Sequence, residues 1–250
     1  MFDLALTRPL ALFEPAAPEL DVGLPERLPV YPRTAPGAAA SASDRTAASG
    51  SATPILMGHL GRVVARSSDR VAWLRARSRG ITATDVAKLS TPRSVRSAAY
   101  DKLHGTGFGG NVFTQHGRDR EPQIASWVAA THGIHPSDAL FHAEGDRRHL
   151  ATPDGLALRS SGSLELAEIK TTNKEFRSIP RNYLRQIWWQ QYVLGAERTL
   201  FVWEQHADFV PVHEEPQCRW VDRDDAEIAK LVALAGDLIA VLQVSTQPAR

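Results

Sequence analysis

The stretch Thr152–Thr172, TPDGLALRSSGSLELAEIKTT, sets three charged groups among apolar side chains. Asp154 opens one segment, directly after Pro153, and Glu168 and Lys170 stand two apart in the next. Side chains alternate faces along a strand. Leu164, Leu166, Glu168 and Lys170 therefore share one face, and Glu165, Ala167 and Ile169 the other. Asp154, at the start of a partner strand, reaches the same edge. Two converging carboxylates can hold a hard divalent cation. Mg2+ takes a few carboxylate oxygens and fills its other positions with water, backbone carbonyl and substrate phosphate. A neighbouring lysine can orient or help deprotonate a water and stabilise charge in the transition state. Metal-assisted phosphodiester hydrolysis needs those parts. By itself a Glu-x-Lys is more often a surface salt bridge. The Pro-Asp-Gly at hairpin distance shifts that balance without settling it.

These residues need a hairpin, and the hairpin needs neighbours. The pattern predicts strands at about 139–144, 154–159 and 164–171, with a Ser/Gly turn joining the last two. A helix is expected from about Thr114 to Thr131, with Ile124, Trp127 and Val128 as its apolar stripe and Gly133 as its stop. Pro122 predicts a kink or a restart inside it. PRNYLRQIWWQQYVLGA reads as a second helix, closed by Gly195. On it Tyr183, Gln186 and Gln190 share a face at i, i+3 and i+7. Trp188 and Trp189 sit mid-helix in an apolar run and are expected in the core. RTLFVWEQ reads as a strand, and a C-terminal helix follows with Ile228, Leu231, Val232, Leu238 and Ile239 on its core face. Nearer the start, ILMGHLGRVV and VAWLRARS read as helical or irregular, and GITATDVAKLS as a short helix capped by Thr82 or Thr84. The order implies an α/β or α+β domain, a central mixed β-sheet flanked by helices.

The chain has 250 residues, 43% of them hydrophobic, which suits one domain with an extension. Residues 1–53 are rich in Pro, Ala and Ser and are expected to be a disordered tail. The folded domain is expected over 54–250. The net charge is +1 and does not announce a nucleic-acid partner. Gly61–Lys102, however, carries ten Lys/Arg against three Asp, a local basic excess of the kind that binds phosphate or simply solvates a helix surface. The single cysteine, Cys218, excludes a disulfide within the chain and any cluster built on several thiolates. His132, His135, His142 and His149 match no common zinc spacing. No apolar run of about 18 residues is read, so no membrane span is expected. The N-terminal MFDLALTRPLALFEP lacks a basic leader and is not read as a secretory signal.

PDG followed fourteen residues later by EIK resembles the PD-(D/E)XK nuclease superfamily. More narrowly, four segments in order resemble the lambda-exonuclease and YqaJ-type viral recombinase family: AWLRARSRGITATDV, HGRDREPQIASWV, TPDGL…LAEIKT and YLRQIWWQQYVLGAERTLFVWE. The resemblance covers about Ala72 to Glu204 and implies a restriction-endonuclease-like core. It implies a Mg2+- or Mn2+-dependent exonuclease with two ions, which degrades the 5′ strand of double-stranded DNA ends. Asp154 and Glu168 would hold metal with the Ile169 carbonyl, Glu121 would support a second ion, and Lys170 would activate or position water. Gln186 would position the scissile group, and Arg77, Thr84 and Tyr183 would contact DNA phosphate. Family precedent also implies a homotrimer, a single-strand annealing partner and a cytoplasmic setting in a bacterial or phage-infected cell. A structure-specific or restriction-like endonuclease on the same core, or a non-catalytic DNA-end-binding module, are the alternatives.

Overall fold

The computed structural model describes residues 58–105 and 111–246. The expected tail, residues 1–53, lies outside them. A 3-10 turn leads into β1 (Val63–Arg66), where helical or irregular structure is expected. α1 (Arg70–Arg79) starts at Asp69, whose side chain accepts the Ala72 N–H at 3.0 Å. β2 (Ile81–Thr82) runs straight into α2 (Ala83–Ala87). A capping box between Thr82 and Asp85 makes Thr82 the cap and leaves Thr84 exposed within the first turn. α3 (Pro92–His104) has the same device from Thr91 and Ser94, with Pro92 at its first position. α4 (Val112–His132) is capped by Asn111 and ends on the left-handed Gly133. It runs on through Pro122, so no restart occurs there. Proline removes one N–H from the ladder, and the residue whose carbonyl it would have met, Arg118, is exposed to water.

β3 (His135–Pro136), β4 (Ala139–His142), β5 (His149–Ala151), β6 (Gly155–Leu158) and β7 (Leu164–Thr172) follow. α5 (Arg181–Leu194) closes on the left-handed Gly195 as expected. β8 (Arg198–Ala207), β9 (Val210–Pro211), β10 (Gln217–Asp222) and α6 (Asp225–Thr246) complete the described chain. The main sheet has the order β10-β8-β7-β6-β3, with β9 paired to β8. β7 and β8 are parallel and every other pair is antiparallel, so the sheet is mixed. A parallel pair needs a crossover, and α5 supplies it. β4 is the strand expected at about 139–144, but it joins a second sheet, β1-β4-β5-β2, that the sequence reading does not foresee.

The period-2 reading of β7 holds. Leu164 and Leu166 enter the cluster that includes Ile187, Trp189, Leu231 and Leu238, on the α5 and α6 side. Ala167 and Ile169 enter the other, with Ile124, Ala125 and Val128 of α4. β8 does the same, with Phe201 and Trp203 on the first side and Leu200 and Val202 on the second. Trp188 and Trp189 are buried as expected. α6 is long and apolar enough by length and composition to cross a membrane. Its few charges interrupt any strict apolar run but leave the average apolar. Ile228, Leu231, Ala235, Leu238 and Ile239 bury one face of it in the core.

Candidate active site

The hairpin delivers its charges to one point because β6 ends early. The β6–β7 register stops at Gly155 opposite Ala167. A Cβ on Gly155 would lie 3.0 Å from that of Ala167 and 3.1 Å from Ile134, so the glycine of Pro-Asp-Gly permits the close approach. Beyond it β7 continues alone on this edge, and the side chain of Asp154 takes the place of the missing strand. Its Oδ2 accepts the Ile169 N–H at 2.7 Å, while its own N–H donates to the Ala167 carbonyl at 3.1 Å. A residue in a strand points N–H and C=O to the same edge. The Ile169 carbonyl therefore faces the edge where Asp154 sits.

Glu168 is 1% exposed and lies on the α5 side. Lys170 and Gln186 both donate to its Oε1, and Gln190 donates to Oε2 at 2.6 Å. A carboxylate offers about four lone-pair sites, so these bonds leave it room for a further partner. Gln190 is fully buried, and its Oε1 has no partner among the described residues. The amide must present its N–H2 end to a carboxylate, which fixes that assignment. Lys170 Nζ also lies 5.7 Å from the Tyr183 ring centre. That ring packs on Phe176 and Phe201, at centroid distances of 5.9 and 5.7 Å. Glu121 arrives from the opposite layer. α4 packs on the Ile169 face, and Glu121 lines a surface pocket with Gly117, Ile169, Lys170 and Thr171. Gly117 matters there, since a Cβ would approach Thr171 Oγ1 to 2.8 Å. No ion pair joins Glu121 to Arg118 among the described residues.

The electrostatics follow from crowding. Burial raises the Asp154 pKa well above the carboxylate range, Glu168 and Glu121 raise it further, and Lys170 opposes them. Glu121 is raised too, by partial desolvation first and by Glu168, again against Lys170. Burial would lower the Lys170 pKa, but Glu168 and Asp154 outweigh it and hold the ammonium charged. Three carboxyls thus face one ammonium. Among the described residues no three His, Cys, Asp or Glu side chains already stand at metal-binding spacing. The donor set nonetheless fits a hard cation. It offers a surplus of carboxylate, an Asp154 Oδ1 with no donor among the described residues, and the Ile169 carbonyl.

Asp154, Glu168, Ile169, Lys170, Gln186 and Tyr183 are therefore brought together, with Glu121 at the mouth. Arg77 and Thr84 are not in direct contact with them. Arg77 lies over the Trp73 ring at 4.3 Å, and burial lowers its pKa while nearby Asp85 opposes that. α2, which carries Thr84, is tied to α5 by Arg185, whose Nε and Nη2 donate to the Ala87 carbonyl at 2.9 and 2.8 Å. Gln186 grips a carboxylate rather than standing free. Gln190 was not among the expected site residues, although its i+7 place on the Tyr183–Gln186 face is visible in the sequence. A second buried group was missed outright: Arg120, Glu204, His206 and His116 form a hydrogen-bonded chain.

Residues 72–197 match the YqaJ-like viral recombinase domain. The fold matches an alkaline exonuclease (LHK-Exo) from Laribacter hongkongensis with a TM-score of 0.55 at 24% identity, over 69% of this chain and 92% of that one. The same exonuclease in complex with dAMP gives a TM-score of 0.54 at 24% identity and the same coverage. Among curated proteins, none matches the chain.

Proposed function

The chain belongs to the YqaJ-like viral recombinase domain family, and on that premise we propose that it is a divalent-metal-dependent DNA exonuclease of phage-type recombination. The observation that carries this reading is the convergence of Asp154, Glu168 and Lys170 at the open end of the β6–β7 hairpin, with Gln186 and Gln190 gripping Glu168. Asp154, Glu168 and the Ile169 carbonyl hold Mg2+ or Mn2+, and Glu121 supports a second ion. A cation there supplies Lewis-acid stabilisation of the charge that develops on the phosphodiester. Lys170, kept as an ammonium by its two carboxylates, orients the attacking water and offsets negative charge in the transition state. Gln186 and Gln190 fix the rotamer of Glu168 from behind, which keeps the catalytic edge in register. Arg77 and Thr84 hold a DNA phosphate, and Tyr183 supports Lys170 through its ring.

The substrate in this reading is a duplex end. The 5′ strand is degraded and a 3′ single-stranded tail is left for an annealing protein, with a homotrimer as the working assembly and 54–250 as the nuclease domain. Digestion of linear duplex labelled at the 5′ or the 3′ end, in Mg2+ or EDTA, tests it. Wild type removes the 5′ label with Mg2+ only, and Lys170→Ala does not. Loss of the 3′ label first reverses the polarity. Cleavage of covalently closed circular duplex makes the chain an endonuclease. Intact DNA under every metal, with binding retained, leaves an end-binding module.

A further inference from the structure

Beside the catalytic edge lies a cavity of about 480 Å³, walled in part by Tyr183, to which the roles above assign no ligand. Its wall begins at Thr171 and Thr172, the strand residues after Lys170, so it starts about 3–7 Å along β7 from the catalytic lysine. It shares Phe113 and Thr171 with the pocket of Glu121 and Lys170, so the two adjoin. Phe113 and Phe209 stand at its rim, 56% and 43% exposed, with ring centroids 5.1 Å apart. Exposed stacked phenylalanines are unusual unless something covers them.

The turn that presents Phe209 is strained. Asp208 and Phe209 join β8 to β9 as a two-residue hairpin loop with φ of 49° and 67°. Such turns normally take Asn and Gly, and a bulky residue there is an outlier that the rest of the structure must hold. In this turn the Phe209 ring lies against Phe113 and His116. His116 is held in turn. Its Nε2 meets His206 Nδ1, His206 Nε2 meets Glu204 at 2.6 Å, and Arg120 grips Glu204 through both oxygens at 2.8 and 2.7 Å. Glu204 and His206 are each 6% exposed. With Nε2 engaged, Nδ1 is the His116 nitrogen left for a ligand in the cavity. Lys174, exposed on the same wall, adds an ammonium.

We propose that this cavity is a nucleotide subsite, in which an unpaired base next to the scissile nucleotide stacks on Phe113 and Phe209 while His116 and Lys174 contact its phosphate. Aromatic faces take any base, so the subsite grips a strand without reading sequence. The inference rests on the nuclease reading and adds to it the point where the strand leaves the duplex.

The test couples base and ring, using the full chain with Mg2+ and linear duplexes that carry one abasic position at the first to fourth nucleotide from the end. Wild type slows about ten-fold or more in kcat/KM at one position, the size of a lost base–aromatic stack. Phe113→Ala and Phe209→Gly slow by a similar factor on intact DNA and lose nothing further at that position, and Phe209→Trp restores the rate. Glycine accepts a φ of 67°, so Phe209→Gly keeps or raises Tm and its slower cutting is not misfolding. Additive losses, or both variants cutting at the wild-type rate, overturn the subsite and leave the nuclease standing. A wild type that leaves every duplex intact overturns both.

Discussion

Asp154→Asn should make the protein more stable and inactive at once. Asn keeps an Oδ1 acceptor for the Ile169 N–H, so the 2.7 Å bond that closes the hairpin survives. What disappears is a charge opposed by burial, Glu168 and Glu121 and supported mainly by Lys170. Desolvating a carboxylate costs several kcal/mol even after relaxation. Losing its attraction for Lys170 returns part of that, and Lys170 keeps its pairing with Glu168. The net expectation at pH 7.5 in EDTA is a gain of about 1–3 kcal/mol. For a domain of this size that is a rise in Tm of about 2–10 °C. Mg2+ reverses the order. At a hundred-fold excess over Kd it stabilises wild type by about 2.7 kcal/mol and should do little for the variant. Scanning calorimetry with and without Mg2+, beside digestion of end-labelled duplex, reads all three quantities. A variant that unfolds at or below the wild-type temperature in EDTA refutes the crowding argument. Equal stabilisation of both proteins by Mg2+ removes Asp154 from the metal-holding set.

Gln190→Leu takes a donor from the buried Glu168 and also deletes the unpartnered Oε1, so urea unfolding should show a net loss of about 1–2 kcal/mol. Turnover should fall with it, and a variant as active as wild type would deny Gln190 any positioning role. Glu165 is buried between Arg159 and Arg198. Burial would raise its pKa, but the two guanidiniums hold it below the ordinary carboxylate value. A carboxylate depressed on folding adds stability above its unfolded pKa and loses it as pH falls through the folded one. Tm measured from pH 7 to pH 3 should therefore fall less steeply for Glu165→Gln than for wild type, and parallel curves would contradict this. A Cβ added at Gly80 would run into the Leu150 side chain and lie 2.5 Å from the Arg148 carbonyl. Gly80→Ala should cost about 1–3 kcal/mol by thermal melt, and an unchanged Tm would mean that β2 has room to move.

Much of the candidate site is legible in residues 152–172 because face alternation is a local rule. Leu164, Leu166, Glu168 and Lys170 had to share a side once a strand formed, and the two buried clusters on either side of β7 agree. α5 and its stop at Gly195 are local in the same sense. Short strands carry too few residues for a period to register. β2, β3 and β9 have two each, and β5 has three. β10 buries only Val221, so its sequence shows no apolar face. α4 runs through Pro122 where Arg118, the residue left without its donor, lies on the exposed face, and which face turns outward is set by packing.

The sequence by itself determined which side chains could do chemistry and which of them share a strand or helix face, since 2.0 and 3.6 residues per turn follow from backbone geometry alone. Only the tertiary structure decided who meets whom across the chain. It set Gln186 and Gln190 on Glu168 and Glu121 at the mouth beside Lys170. It also joined His116 to His206, ninety residues apart. Those meetings depend on where β6 stops, how α5 crosses from β7 to β8, and how closely Gly117 and Gly155 let neighbours approach. They are outcomes of packing the whole domain at once, and no local period encodes them.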